Sequence, residues 1–309
     1  MFNTQQKQII DSLKSPGAAK SWLIVGPYGI GKTNLAKAII EDLTKNSNEY
    51  NPSVQWVECG LTDTAKKEIQ KVLLAGEQLD NKEWAKKKEI TVNDVREACH
   101  FLSLKSNKIK ILVFNLADDM NEEAQNALLK TLEEPYPNSL ILLLTENIGH
   151  LLPTIASRCQ KVVLPPLSNT EISDILSKKH PELSENDRLE IAELADHMPG
   201  VAEDIISYNG LILYYKLQNL LAEGSLNSAA ALDWAETAIK DKDTLRLACR
   251  FLLKIISKYA INRGVSIEKS FELSELYAKV QNLLRQMEQL NLDKKHTMTS
   301  IIQQISEVL

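Results

Sequence analysis

The chain has 309 residues, a length that exceeds one ordinary hydrophobic core and predicts two or three domains. Its composition, with 44% hydrophobic and 25% charged residues, is typical of a globular protein, and its net charge of −5 disfavours DNA binding through a basic surface of its own. The sequence has no apolar run near the roughly 20 residues that cross a bilayer, and it begins without a secretory signal pattern. We therefore expect a cytoplasmic protein without membrane contact.

The four cysteines are far apart in the sequence and give no zinc-binding pattern. They are Cys59, Cys99, Cys159 and Cys249. None stands two to four residues from another, as the ligands of a structural zinc ion usually do. We expect reduced, buried thiols and no bound zinc.

The first part of the chain alternates between strand and helix patterns. Residues 21–25, SWLIV, predict a short buried strand, and the following KTNLAKAIIEDL has the helical spacing of apolar residues. A second strand is predicted at 54–58, VQWVE. The lysine-rich stretch 62–88 predicts a solvated helix without a binding site. After it, TVNDVREACHFL predicts an amphipathic helix capped by Thr91.

Two further strands are predicted from near-continuous apolar runs, KIKILVF at 108–114 and SLILLLT at 139–145. Such runs are typical of a parallel sheet that is covered on both faces. Between them, NEEAQNALLKTLEE predicts a helix that ends before Pro135, because proline disfavours helical geometry at the preceding residue. Strands that alternate with helices predict a doubly wound α/β domain over residues 1–164.

The prolines of LPPLSNTE mark the next boundary. Ser168 and Glu171 form a capping-box pattern that begins a new helix, and residues 165–207 are predicted to form a small helical domain. Residues 208–309 predict a third, all-helical domain. Its segment ELSELYAKVQNLLRQMEQL carries one apolar stripe, which fits either the core of a helical bundle or a surface for oligomerisation. The stripe consists of Leu273, Leu276, Tyr277, Val280, Leu283, Leu284 and Met287.

Residues 26–33, GPYGIGKT, fit the phosphate-binding pattern G-x-x-x-x-G-K-[ST]. The pattern follows a predicted strand and opens a predicted helix, whose N-terminus offers N–H donors to an anion. Lys32 would reach the β- and γ-phosphates, and Thr33 would hold Mg²⁺. We therefore expect ATP and Mg²⁺ to fit this loop, with occupancy left open and a glycine-rich turn without a ligand as the alternative. The predicted contacts are Gly26, Pro27, Gly29, Gly31, Lys32 and Thr33.

The strand at 108–114 lacks the acids that hydrolysis needs at its end. An aspartate that orders Mg²⁺ and a glutamate that activates water are expected there, but the chain has Asn115 and Leu116. Asp118 and Asp119 follow, and we expect them past the strand and turned outward. A shift that recruits Asp118 as the acid is the alternative. The pattern favours a phosphate site without hydrolysis.

Three segments, considered together with the phosphate-binding loop, carry a family resemblance. They are NALLKTLEEP at 126–135, LLPTI at 151–155 and SRC at 157–159. With them the sequence resembles the δ′ subunits of bacterial DNA polymerase III, in the clamp-loader branch of the AAA+ ATPases, over most of residues 1–165. The resemblance implies an α/β P-loop AAA+ domain at 1–164, a helical lid at 165–207 and a helical collar at 208–309.

The resemblance also implies a role in DNA replication. Clamp-loader subunits form a hetero-pentameric ring that opens a sliding clamp and places it on primed DNA, with ATP bound at the subunit junctions. Arg158 would act in trans as an arginine finger on a neighbour's ATP; the alternative is an ion pair with a local acid at a helix end. Thr145 and Asn147 would occupy the first sensor region and could touch a γ-phosphate.

Departures from the family pattern indicate what this chain has lost. A four-cysteine zinc module is missing, with Cys59 alone near its place, and Val201 stands where a sensor arginine is expected. Together with Asn115 and Leu116, this predicts a stator subunit of the polymerase III assembly without intrinsic ATPase activity. The alternative is an ATP-hydrolysing motor subunit that uses Asp118. A P-loop kinase for small molecules has no support from residues 125–159.

Overall fold

The computed structural model describes residues 9, 11–12, 17–46, 52–59, 89–222, 227–261, 266–290 and 292–309. The helix predicted at 62–88 lies outside these residues. The chain divides into two compact units, Met1–Pro166 and Leu167–Leu309.

The first unit is built on a five-stranded parallel sheet with the strand order β2-β3-β4-β1-β5. All four strands predicted from sequence are present, and the structure adds β5. The strands are β1 (Ser21–Val25), β2 (Ser53–Val57), β3 (Lys110–Phe114), β4 (Ser139–Thr145) and β5 (Gln160–Val163). Its helices are α1 (Lys32–Asn46), α2 (Val92–Ser103), α3 (Glu122–Glu133) and α4 (Pro153–Ala156), with 3-10 turns at Ala117–Asp119 and Ile148–His150.

The central strands β3 and β4 are buried along their whole length. Strands whose two faces are both covered need apolar side chains at successive positions, because neighbouring residues point to opposite faces. The runs KILVF and SLILLLT meet this requirement. The doubly wound α/β class expected from the sequence is therefore confirmed.

Local side-chain bonds fix where the helices of this unit begin and end. The Thr91 backbone N–H donates to the Asp94 carboxylate at 2.8 Å, as predicted for the start of α2. Helix α3 begins after Asn121, whose side chain accepts a hydrogen bond from Ala124, and it ends at Glu133, two residues before Pro135.

The second unit contains only helices among its described residues. Ser168 and Glu171 form the expected capping box at the start of the first of them. The helices are α5 (Asn169–Lys179), α6 (Glu185–Leu194), α7 (Pro199–Ser207), α8 (Gly210–Ala222), α9 (Ser228–Ala238), α10 (Lys242–Ala260), α11 (Ile267–Gln289) and α12 (Lys294–Val308). Because α7 packs against α8 and α10, the separation of residues 165–207 from 208–309 stays a prediction.

The predicted apolar stripe of α11 packs within the chain against α10 and α12. Five of its seven members are buried, while Tyr277 and Leu283 are half-buried. The buried members are Leu273, Leu276, Val280, Leu284 and Met287. The stripe therefore forms part of a helical bundle core. No helix among the described residues is long and apolar enough to cross a membrane.

A buried lysine at the start of β3 binds the carbonyl groups at the C-terminal end of helix α2. Lys110, the first residue of β3, is 6% exposed. Its ammonium donates to the carbonyls of Phe101, at 2.8 Å, and Leu104, and it lies 5.4 Å from the centre of the Phe101 ring. These carbonyls belong to the last turn of α2 and its C-cap, where a cation also complements the helix dipole.

We expect Lys110→Met to lower the free energy of unfolding by about 1–3 kcal/mol, because it keeps the apolar stem but leaves partly buried carbonyls without their donor. Urea denaturation of the full chain measures the change. The exposed Lys108 supplies the control variant Lys108→Met, which should change the unfolding free energy little. Equal losses in both variants would contradict a role for the Lys110 ammonium.

His180, at the end of α5, joins this helix to α7. Its Nε2 lies 2.8 Å from Glu203 Oε2 and its Nδ1 lies 3.2 Å from Glu182 Oε1, while Lys179 donates to the other Glu203 oxygen at 2.8 Å. The bond to Glu203 raises the pKa of His180 above its ordinary 6.5. Burial alone would raise the pKa of Glu203, but its bonds to Lys179 and His180 lower it below 4.5.

These shifts predict a pH-dependent effect of His180→Asn. The stability that protonated His180 contributes is complete below about pH 6.5 and is lost as the pH rises through its raised pKa. The contribution of ionised Glu203 is lost only in acid, below its lowered pKa. Urea denaturation should therefore show a larger destabilisation at about pH 5.5 than at about pH 9. His296→Asn, at an exposed position of α12, is the control; a loss independent of pH in His180→Asn would contradict the assignment.

Candidate nucleotide-binding site

The predicted phosphate-binding loop lies at the carboxyl edge of the sheet. It connects the end of β1 with the start of α1. The carboxyl ends of parallel strands share one edge, so the residues that follow β3 and β4 lie at the same edge as the loop. Ligands of open α/β sheets usually bind at this edge.

The loop has the backbone geometry that its glycines permit. Gly29 and Gly31 have φ angles of 78° and 104°, which L side chains rarely adopt. A Cβ atom on Gly26 would lie 2.9 Å from Ile30 Cγ2. The Gly26 N–H also donates to the Thr145 carbonyl at 3.1 Å, which holds the loop against β4. These features form a cradle of the kind that fits phosphate oxygens.

Lys32 is buried inside this cradle, with 7% of the residue exposed. Its ammonium donates to the carbonyls of Gly26 at 2.7 Å and Pro27 at 3.1 Å, and it lies 3.7 Å from Glu146 Oε1. Burial lowers the pKa of Lys32, and the charges of Glu146 and Asp118 oppose that shift. Lys32 therefore has the placement expected for a phosphate ligand, but carbonyl and carboxylate oxygens of the chain also surround its charge.

The side chains of Thr33, the predicted Mg²⁺ ligand, and of Asn115, which stands in place of the expected aspartate, meet at the end of β3. The Thr33 hydroxyl donates to Asn115 Oδ1 at 2.9 Å. Asn115 directly follows β3, and its backbone N–H donates to the Val57 carbonyl. Both side chains offer neutral oxygens, which fit a hard cation less well than a carboxylate does. Among the described residues, no group of three or more His, Cys, Asp and Glu side chains could hold a metal ion.

The prediction that Asp118 and Asp119 turn outward is wrong. The Asp118 side chain is 10% exposed, and its carboxylate accepts hydrogen bonds from the Thr145 hydroxyl and from the N–H groups of Glu146 and Asn147, at 2.8–2.9 Å. The 3-10 turn Ala117–Asp119 brings it to the end of β4, where the hydroxyl of buried Thr145 needs an acceptor. Asp119 accepts a hydrogen bond from the thiol of Cys59 at 3.3 Å.

The two predicted sensor residues are both engaged within the chain. Thr145 is fully buried, and its hydroxyl bonds to Asp118. The Asn147 side chain accepts from the Gly149 N–H at 2.9 Å and so caps the turn Ile148–His150. Gln125 of α3 then bonds to the carbonyl of His150 and to the N–H of Leu152. The segment after β4 is therefore held in place from Thr145 to Leu152.

Arg158 lies at the opposite edge of the sheet. It stands two residues before β5, whose first residue pairs with Trp22 near the start of β1. Its guanidinium contacts Glu133 Oε1 at 2.6 Å and donates to the Thr154 carbonyl at 3.0 Å. The sequence analysis gave a local ion pair at a helix end as the alternative to an arginine finger. The single chain contains that ion pair.

The geometry brings the loop, Asn115 and the end of β4 together and leaves Arg158 apart. The sequence analysis missed Glu146, which reaches Lys32, and the inward position of Asp118. Glu146 stands between the two predicted sensor residues in the sequence. Its acidic side chain directly after a predicted strand could have indicated a contact with the lysine of the loop. Val201, at the predicted sensor-arginine position, is 1% exposed inside the second unit.

The cysteines of the first unit lie in or beside its core, and all four cysteines of the chain are thiols. Burial raises the pKa of Cys59 to about 12, with a further contribution from its bond to Asp119. Burial also raises the pKa of Cys159 to about 12. Neither thiol is poised to ionise near neutral pH. The absence of a zinc module stays a prediction.

Comparisons with known proteins find relatives among DNA polymerase III subunits. The chain is 28% identical over 190 residues to DNA polymerase III subunit gamma of Buchnera aphidicola, covering 60% of this chain and 50% of that protein. It is 33% identical over 153 residues to DNA polymerase III subunit delta' of Pseudomonas aeruginosa, covering 48% and 43%. The chain thus spans half or less of the length of these curated relatives.

Among solved structures, a DNA polymerase III gamma subunit-related protein from Thermotoga maritima is similar, with a TM-score of 0.48 and 18% identity over 98% of this chain and 99% of that chain.

The family comparison covers the part of the chain that contains the site. The family model described as "DNA polymerase III, delta subunit" matches residues 2–168, more than half of the 309 residues. This match contains the phosphate-binding loop, the five strands and Arg158. The P-loop α/β unit and the helical second unit are those expected of an AAA+ domain followed by a helical C-terminal region. The chain belongs to the DNA polymerase III delta-subunit family.

Proposed function

We propose that the chain is a δ′-like stator subunit of a DNA polymerase III clamp loader. In this role it completes a neighbouring subunit's ATP site with Arg158 and has little or no ATPase activity itself. The proposal includes a hetero-pentameric ring with other clamp-loader subunits, contact with a sliding clamp, and contact with primer–template DNA through the assembly. It also includes action in the cytoplasm, away from membranes.

The position of Arg158 relative to the chain's own loop carries this proposal. The loop follows the carboxyl end of β1, and Arg158 lies beside the amino end of the same strand. A strand of five residues is roughly 16 Å long at about 3.3 Å per residue. Arg158 therefore lies away from the phosphates that its own loop would bind. An arginine that acts on phosphate from this position would act on another subunit's nucleotide.

The contacts of Arg158 would allow its guanidinium to leave Glu133 and bind a neighbouring subunit's phosphate. Its ion pair with Glu133 is partly exposed on both sides, with 34% and 49% of the side chains accessible. Ion pairs of this kind typically contribute about 0–1 kcal/mol, because water already solvates both charges well. A phosphate group carries more charge and accepts the planar guanidinium in a bidentate manner. Exchange of Glu133 for a neighbour's phosphate is therefore favourable.

The chain's own loop has the parts needed to hold a nucleotide. Gly26, Gly29 and Gly31 form the backbone cradle, Lys32 supplies the cation, and Thr33 with Asn115 would hold Mg²⁺. Bound Mg²⁺ would bridge phosphate oxygens and offset their charge. Asn115 cannot supply the anionic ligand of a hydrolysing site, and Leu116 cannot accept a proton from water. Binding without turnover is the behaviour that this set of residues supports.

One observation favours the second candidate, an ATP-hydrolysing motor subunit. Asp118 faces inward, and its charge acts on Lys32. Against this candidate, Asp118 already accepts three hydrogen bonds from residues 145–147, and Thr33 bonds to Asn115 and not to Asp118. These bonds support a structural role for Asp118.

We expect the purified chain to bind a fluorescent ATP analogue and to release no phosphate. Lys32→Ala should weaken binding about 10- to 100-fold, because a charge-assisted hydrogen bond contributes about 1.5–3 kcal/mol. Lys37→Ala, at an exposed position of the same helix, is the control and should bind normally. If the chain turned over ATP and Asp118→Asn abolished that turnover while binding persisted, the motor function would replace the stator.

The finger role predicts that Arg158→Ala removes hydrolysis at one site of the assembled loader. Arginine fingers contribute about 10³-fold or more to phosphoryl transfer, so this site should become nearly silent while the others continue. The measurement is DNA-stimulated phosphate release by loaders assembled from purified subunits.

The matched control is Lys161→Ala, which removes an exposed cation three residues further along the chain. Size-exclusion chromatography of both assemblies tests whether the ring remains intact. Unchanged ATPase activity in an intact ring that contains Arg158→Ala would rule out the finger.

A further inference from the structure

We propose that Glu146 competes with nucleotide phosphate for the Lys32 ammonium, so that the site prefers nucleoside diphosphates to nucleoside triphosphates. This inference rests on the proposed nucleotide site. It assigns to the residue between the two predicted sensor positions a role in selecting the ligand.

The first support is the ion pair itself. Glu146 Oε1 lies 3.7 Å from Lys32 Nζ. Lys32 is the one charged residue that the phosphate-binding pattern specifies. The lysine is buried, so its charge is screened less by solvent than that of a surface lysine. The carboxylate therefore occupies a position beside the cation that a phosphate oxygen needs.

The second support is the way in which the backbone of Glu146 is held. Asp118 accepts from the Thr145 hydroxyl and from the N–H groups of Glu146 and Asn147. One buried carboxylate thus fixes three successive residues at the end of β4. The side chain of Glu146 is 37% exposed and can rotate, but its Cα cannot move away from the loop without breaking these bonds.

The third support is the charge balance around Lys32. Two carboxylates, those of Glu146 and Asp118, act on one ammonium, and both oppose the fall in its pKa. Both carboxylates therefore already act on the cation before any phosphate approaches. A nucleotide that places its charge here must displace Glu146 or lie beside it. Like charges about 4 Å apart repel strongly where solvent screening is partial.

The repulsion should act most on the last phosphate of a triphosphate. The lysine of this loop pattern reaches the β- and γ-phosphates, while backbone N–H groups of the loop cradle the α- and β-phosphates. A diphosphate keeps the backbone contacts and brings less charge to Glu146. Removal of the Glu146 charge should consequently favour the triphosphate selectively.

The test compares wild type, Glu146→Gln, Glu134→Gln and Lys32→Ala in titrations with fluorescent N-methylanthraniloyl-ATP and N-methylanthraniloyl-ADP. Glu146→Gln should bind the ATP analogue roughly tenfold more tightly and change the affinity for the ADP analogue much less. Glu134, exposed at the end of α3, lies at the other edge of the sheet, and its variant should resemble wild type. In the nucleotide-free protein, NMR of Lys32 should show a lower pKa in Glu146→Gln, because a charge that opposes the fall is gone.

The outcomes separate this inference from the nucleotide site on which it rests. If wild type binds both analogues, Lys32→Ala loses them and Glu146→Gln leaves their ratio unchanged, the inference is overturned and the site remains. If Glu146→Gln binds the ATP analogue where wild type does not, the inference holds in its strongest form. If no variant binds either analogue, both the site and the inference are overturned.

Discussion

The position of β1 between β4 and β5 is the constraint that places both the phosphate-binding loop and Arg158. Pairing with β4 places the loop after β1 beside the residues that follow β4, and the bond from the Gly26 N–H to the Thr145 carbonyl completes this contact. Pairing with β5 places the chain before β5 at the other edge. Because all the strands are parallel, one strand order places the phosphate-binding loop at one edge of the sheet and Arg158 at the other.

Asp118 shows how an acid near a phosphate-binding loop can serve structure. Its carboxylate accepts from the hydroxyl of buried Thr145 and from the N–H groups of Glu146 and Asn147, where the chain leaves β4 and turns into Ile148–His150. Gln125 performs the same task a few residues later, through His150 and Leu152. The segment that leads to Arg158 is thus held by two side chains from outside it. The position of Arg158 depends on these polar contacts as well as on the apolar core.

Much of the first unit could be predicted from sequence because its signals are local. Each of these signals indicates a backbone conformation within a few residues. They are the apolar runs of β3 and β4, the capping pattern at Thr91 and the glycines at 29 and 31. The hydrogen bond between Thr33 and Asn115 was not predicted, because it joins residues 82 positions apart in the chain.

The orientation of Asp118 and the contact of Glu146 with Lys32 were not predictable in this way. Both depend on a 3-10 turn and on contacts between residues distant in sequence, and neither leaves a periodic signal. β5 was missed for a related reason. It is a short edge strand, QKVV, whose exposed residues give no buried run. The local ion pair of Arg158 was foreseen only as an alternative, because sequence cannot show which acid stands nearby.

In the proposed assembly, the pair between Arg158 and Glu133 affects how fast subunits can join. A free arginine side chain loses roughly 2 kcal/mol of rotamer entropy when it is fixed in an interface. Here Glu133 and the Thr154 carbonyl already restrict the guanidinium in the isolated chain. Part of the entropy cost of ordering the Arg158 side chain is therefore met before subunits encounter each other. The contacts that order it are partly exposed and only weakly stabilising. In the proposed assembly, an approaching subunit would meet a guanidinium already oriented by Glu133 and the Thr154 carbonyl, and docking would exchange Glu133 for a new partner with a smaller search through conformations.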